Sequence, residues 1–144
     1  MDLKQQILLS YIGQGGEIDP IRIMKGLFVF SKETPAGWIG ESDRYHFVPY
    51  QFGPCSFDIY SDLDALERSG YLQSKQPLGQ SWKYYSVTDM GKYAVEQAAG
   101  RFQPQVLTYL NQVRSWVDQQ SFKGLLKAIY RRYPAYASNS VFKF

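Results

Sequence analysis

The chain has one cysteine and one histidine in 144 residues. A single cysteine excludes an intramolecular disulfide framework and suits a reducing cytosol, so a cytoplasmic protein is expected. With only Cys55 and His46 on offer, no Cys/His cluster stands at metal-ligand spacing, and no metal or other cofactor is expected. The same two residues make a poor nucleophile and base, because nine positions of extended chain hold them apart. A lone thiol of this kind is more often a small apolar core residue, packed here under the Gly53-Pro54 turn. Long apolar runs are missing as well. The longest is Leu27 to Phe30, far short of the roughly 20 residues that cross a bilayer, and no charged segment followed by a cleavable apolar stretch opens the sequence. No membrane partner is expected. Gly13-x-Gly15-Gly16 follows a helical pattern rather than a strand, so it is not a phosphate loop. These absences together predict a protein that is not an enzyme.

Aromatic residues, in contrast, are abundant: twelve Tyr, nine Phe and three Trp. Rings that are apolar on one side and polar at the tip are common at interfaces as well as in cores, so a partner or a homodimer is expected. The net charge of +3 conceals a division. Residues 1–100 carry nine Lys/Arg against twelve Asp/Glu, a balance of −3, whereas residues 101–144 carry seven against one, a balance of +6. An acidic body is followed by a basic region that suits either nucleic acid or an acidic partner.

The organising stretch is Tyr45 to Leu72. It opens with alternating aromatic and β-branched residues, breaks at Gly53-Pro54, and resumes with Ile59, Leu63 and Leu66 at the spacing of one helix face. Ser56 stands near the start of that helix and Ser69-Gly70 at its end. Tyr71-Leu72 and Trp82 to Val87 then read as two short strands around the turn Pro77-Leu78-Gly79-Gln80-Ser81. Upstream, Leu3, Ile7, Leu8, Tyr11 and Ile12 predict a first helix between Asp2 and Gly13. Asp19-Pro20 opens a second over Ile21 to Phe30. On a wheel that second helix leaves only Arg22, Lys25, Val29 and Lys32 exposed. Residues 31–44 are expected to be a loop, pinned by Trp38 and Ile39. Downstream, Thr88 caps a helix to about Ala99, Gln103 to Asp118 forms another, and Ser121 caps a last one to about Tyr133.

Helices followed by helix, strand, turn and strand make the order of a winged helix-turn-helix. The expected fold class is therefore α+β, mainly α: a winged helix-turn-helix with a small β-hairpin wing over residues 1–100. A C-terminal helical extension over residues 101–144 packs on it or dimerises.

The pattern Tyr45-x-Phe47-x-Pro49-Tyr50-x-Phe52-Gly53-Pro54-x-Ser56, then Asp62-Leu63-x-x-Leu66 and Gly70-Tyr71-Leu72, resembles the Panacea antitoxin-domain family and related bacterial and phage winged-helix proteins. The ending Tyr133-Pro134-x-Tyr136 with Ser140 is similar to the close of some of them. Tyr85-Ser86-Val87-Thr88-Asp89-x-Gly91 is similar to the wing exit of PadR- and MarR-like regulators. Cys55 departs from the pattern, which has a larger or aromatic residue there. The resemblance implies a small protein that acts by binding, as an antitoxin to a toxin or as a regulator to DNA.

Two functions follow. The first is a regulatory, transcription-factor-like module on double-stranded DNA. It would use Ser56, Phe57, Ser61 and Arg68 on the third helix, Lys75 and Lys83 on the wing, and Arg22 and Lys25 on the second helix. Against it, the exposed face of the third helix carries Asp58 and Asp64 with only Arg68 to meet phosphates. The alternative is a protein-binding antitoxin or adaptor in which Phe57, Asp58 and Asp64 face a basic partner such as a toxin. A further basic patch, Lys123, Lys127, Arg131 and Arg132, lies near Tyr130, Tyr133 and Tyr136. It suits nucleic acid, or is the solvated face of a helix whose Leu125, Leu126 and Ile129 enter the core.

Overall fold

The computed structural model describes all 144 residues. Helix α1 (Leu3–Ile12) begins at Asp2, whose carboxylate accepts the Gln5 N–H at 2.8 Å while the Gln5 side-chain oxygen accepts the Asp2 N–H at 3.1 Å. This reciprocal pair satisfies two donors that the first turn leaves open. Helix α2 (Pro20–Glu33) begins where Asp19 accepts the Arg22 N–H at 2.9 Å, with Pro20 in the first turn. It continues three residues past the predicted end at Phe30. The loop that follows is shorter than expected and holds one 3-10 turn, Glu41–Asp43.

The Tyr45–Ser56 stretch differs from its sequence reading. The residues before Gly53 do form a strand, but Gly53-Pro54 does not end the extended stretch; it begins the second strand of a hairpin. Strands β1 (Val48–Tyr50) and β2 (Gly53–Cys55) pair antiparallel, with Val48 opposite Cys55, Pro49 opposite Pro54 and Tyr50 opposite Gly53. Two prolines facing each other supply no N–H to a ladder, which hides the strands from a propensity reading. Gly53 leaves the Gln51-Phe52 connection at φ +87°, a conformation that side chains oppose. So short a hairpin needs support, and it is held between α2 and the C-terminal segment. The Val141 N–H donates to the Gln51 carbonyl at 2.9 Å, and Asn139 Nδ2 donates to the Pro49 carbonyl at 3.3 Å.

Helix α3 (Phe57–Arg68) buries Ile59, Leu63 and Leu66, the face its spacing predicts. Strands β3 (Leu72–Lys75) and β4 (Tyr84–Val87) form the second antiparallel hairpin, from Leu72 opposite Val87 to Lys75 opposite Tyr84. Ile18, just ahead of α2, extends it by exchanging two backbone hydrogen bonds with Tyr85, at 3.0 and 2.8 Å. Helix α4 (Asp89–Ala99) is capped by the Thr88 hydroxyl. Helix α5 (Pro104–Asp118) follows, and α6 (Phe122–Arg132) is capped by the Ser121 hydroxyl.

The result is an α+β chain, mainly helical, with two small antiparallel hairpins. Its apolar core does not stop at residue 100: α5 packs against both α1 and α2, and Val106, Leu110, Val113 and Val117 join Leu8, Ile12, Ile23 and Leu27 in one cluster. The C-terminal segment closes over α2, where Phe28 meets Tyr133 and Tyr136 edge-on at 4.9 and 4.6 Å. Both strands of the β1–β2 hairpin pack against the Pro134–Ala137 turn, and an added Cβ at Gly53 would stand 2.8 Å from Cε1 of Tyr130. No helix is long and apolar enough to cross a membrane.

Candidate functional site

Helix α3 is fixed to the body at several points. Ile59, Leu63 and Leu66 enter the core. Asp62, on one flank, accepts the Tyr45 hydroxyl at 2.7 Å and Gln5 Nε2 at 3.0 Å. Burial, reinforced by the bond to Asp62, pushes the Tyr45 phenol far above its ordinary range. With the inner face held in this way, the outward face is determined: Phe57, Ser61, Asp64 and Arg68 along the outer line, with Asp58 and Tyr60 on either side.

The eight residues expected to contact a duplex do not gather into one cationic surface. Lys25 is a correction, because it is 2 % exposed and its Nζ donates to the Pro54 carbonyl at 2.9 Å beneath the β1–β2 hairpin. The wheel left it outside because the hairpin that covers it was not foreseen. Ser56 is a second correction. It is 1 % exposed, its N–H points at Met24 Sδ at 3.4 Å, and its hydroxyl neither caps α3 nor meets any other protein group. The junction with β2 turns it inward. Arg22 is half-buried and paired with Asp19 at 2.7 Å. Lys75 pairs with Glu17 at 2.7 Å, and Lys83 lies 3.9 Å from Glu67. Phe57, Ser61 and Arg68 are exposed, and Arg68 is the one exposed base of the eight that makes no ion pair.

What does gather around α3 is aromatic and acidic. Val48, Tyr50, Phe57 and Tyr60 are each between 44 and 55 % exposed, and Tyr50 stands edge-on to Phe57 at 5.4 Å. Asp58 and Asp64 are exposed beside them without an ion pair. The sequence reading missed Val48, Tyr50 and Tyr60 as surface residues. The available signal was period: Val48 and Tyr50 alternate on one face of a strand, and Tyr60 lies one turn from Phe57.

Cys55 is buried, which pushes its thiol upward, although Lys25 beside it pulls the other way; His46 is exposed. Burial lowers Lys25 from its ordinary 10.5 to about 8, with Cys55 and Asp19 opposing. The sign of the consequence is definite. Between pH 8 and 10.5 the unfolded chain binds the proton that the folded chain has lost, so stability rises with pH there. Above pH 9 the raised Cys55 acts in the opposite sense, because its unfolded thiol ionises first. A net gain of about 1 kcal/mol is therefore expected between pH 8 and 9. It should appear as a higher urea midpoint in wild type and be absent from Lys25→Met. An equal rise in Lys25→Met would assign it to another group.

The basic patch on α6 divides. Arg132 turns to Glu33 at 2.9 Å, and Glu33 also accepts the Tyr133 hydroxyl. Burial, with that bond, raises Tyr133 to about 12. Lys123, Lys127 and Arg131 are exposed and unpaired. No protein-family model matches the chain, and no curated protein sequence matches it.

Proposed function

We propose that this chain is a binding module without catalytic chemistry, a winged helix-turn-helix that meets a protein partner rather than a duplex. The single observation that carries this is the exposed row Val48, Tyr50, Phe57 and Tyr60, flanked by the unpaired acids Asp58 and Asp64. Exposed aromatic anchors beside charges of one sign suit a partner that brings an apolar contact and Lys or Arg side chains. The same acids repel a phosphate backbone. In support of the winged-helix reading, Ile18 pairs with β4 between the first two helices, adding a third strand position to the β3–β4 hairpin. The likeness to the Panacea family, carried by the Tyr45–Ser56 and Tyr133–Ser140 residues, points to a partner such as a toxin.

A regulator of transcription on double-stranded DNA is the second reading. It is favoured by Arg68, exposed on the outer line of α3 and engaged in no ion pair. Anisotropy with a mixed-sequence duplex at about 50 and about 200 mM salt separates the two. The protein-binding reading expects no micromolar affinity at either salt. It further expects Phe57→Ala and Asp58→Lys to weaken partner capture by about tenfold or more, with Arg68→Glu neutral. Micromolar duplex binding that falls with salt and is lost in Arg68→Glu would overturn it.

A further inference from the structure

Helix α6 and the residues after it enclose a cleft of about 590 Å³, and none of the α3 residues lines it. Three cations border this cleft, Lys127, Arg131 and Lys143, and no acidic side chain does. None of the three takes part in an ion pair, although Arg132, the next residue along, is held by Glu33. Lys127 and Arg131 share one helix face at i and i+4. The dipole of α6 favours Arg131 in its last turn, but it gives no account of Lys143, which arrives from a separate segment.

The other side of the cleft is aromatic. The Tyr130 hydroxyl donates to Ser140 Oγ at 2.6 Å, which fixes the ring. Phe144 stands 6.0 Å from Tyr130, and 6.4 Å from Phe142 with 8° between the two planes. Phe144 is 58 % exposed, a flat apolar face beside three unmatched positive charges. A purely apolar ligand would strip water from the cations without replacing it, and a plain polyanion would leave the rings wet. A phosphate joined to a planar ring satisfies both walls.

We propose that this cleft binds a nucleotide unit, with phosphate against Lys127, Arg131 and Lys143 and the base against Phe144. The unit is supplied either by a free mononucleotide or by a single-stranded nucleic acid. The proposal is independent of the α3 surface, so Phe57→Ala should leave it unchanged.

The test titrates the full chain with adenosine monophosphate, a fluorescein-labelled oligoadenylate six nucleotides long, and inorganic phosphate, at about 50 mM salt. Expected is binding of the oligonucleotide, the mononucleotide or both, weakened about tenfold or more by Arg131→Glu and by Lys143→Glu, and about fivefold or more by Phe144→Ala. All three side chains lie at the surface, and a circular dichroism spectrum identical to wild type checks the fold of each variant. Full competition by the mononucleotide would identify the free ligand as the source; binding by the oligonucleotide alone would identify the strand. Absence of binding below about 1 mM for both probes would overturn the site. Affinity unchanged in Arg131→Glu would do so too, as would affinity unchanged in Phe144→Ala with inorganic phosphate competing equally well.

Discussion

Arg114→Ala is expected to destabilise the fold by about 3–5 kcal/mol, measured as a loss of urea midpoint at unchanged slope. Arg114 is 1 % exposed. Its Nη1 donates to the Tyr11 carbonyl at 2.9 Å and the Ile12 carbonyl at 2.7 Å, and its Nη2 donates to the Gly16 carbonyl at 2.7 Å. Those first two carbonyls belong to the last turn of α1, where the Tyr11 carbonyl has only a long bond from the Gln14 N–H at 3.3 Å and the helix supplies no further amides. The guanidinium thus closes that helix end, complements its dipole, and ties α5 to the Gly13–Gly16 turn in one group. Asp118 at 3.0 Å orients Nε from the solvent side. Truncation leaves the Ile12 carbonyl without its donor inside the fold, takes the stronger partner from the Tyr11 carbonyl, and opens a cavity beside them. Arg114→Lys should recover less than half of the loss, because an ammonium cannot span the three acceptors. Asp118→Asn should cost under about 1 kcal/mol, since that carboxylate is 42 % exposed. A small effect of Arg114→Ala would mean that water replaces the guanidinium without penalty.

The second large effect is expected from the smallest change, Gly26→Ala. A Cβ at Gly26 would lie 1.8 Å from the hydroxyl oxygen of Tyr11 and 2.4 Å from its Cζ. Tyr11 is fully buried, with its hydroxyl donating to the Arg22 carbonyl at 3.3 Å, so the ring has nowhere to turn. Helices α1 and α2 must then separate, and the substitution should cost about 3 kcal/mol, at the upper end of overpacking effects. It does so although alanine is otherwise the better helix former. The clash is specific to one pair, which a double-mutant cycle resolves. In a Tyr11→Leu background, already weakened by its own cavity, the added cost of Gly26→Ala should fall below about 1 kcal/mol. Equal costs in both backgrounds would place the strain elsewhere.

Helix boundaries were legible in the sequence wherever a side chain itself closes the turn. Asp2, Asp19 with Pro20, Thr88 and Ser121 all accept from the amide three residues on. Such caps are local chemistry, and so is the i, i+4, i+7 spacing of Ile59, Leu63 and Leu66 that sets the inner face of α3. The outward placement of Phe57, Ser61, Asp64 and Arg68 follows from that face. By contrast, nothing in the pattern Val48-Pro49-Tyr50…Gly53-Pro54-Cys55 announces a ladder, and that hairpin decides whether Lys25 and Ser56 meet solvent.

Charge was the least legible property, because a formal count carries no partner. Arg114 and Arg132 both belong to the basic C-terminal region, yet one is consumed by backbone carbonyls of α1 and the other by Glu33, contributed from 99 positions away. Lys127, Arg131 and Lys143 become a group because the chain turns back after Pro134 and brings residues from two segments to one cleft. Periodicity and capping read only the nearest turn, and so the residues themselves settled the helices, the two-strand turn after α3 and the lack of disulfide or metal spacing. Which lysine is buried, which arginine is spent and which aromatic rings face outward depended on long-range packing, where burial and pairing are properties of neighbours far apart in the chain.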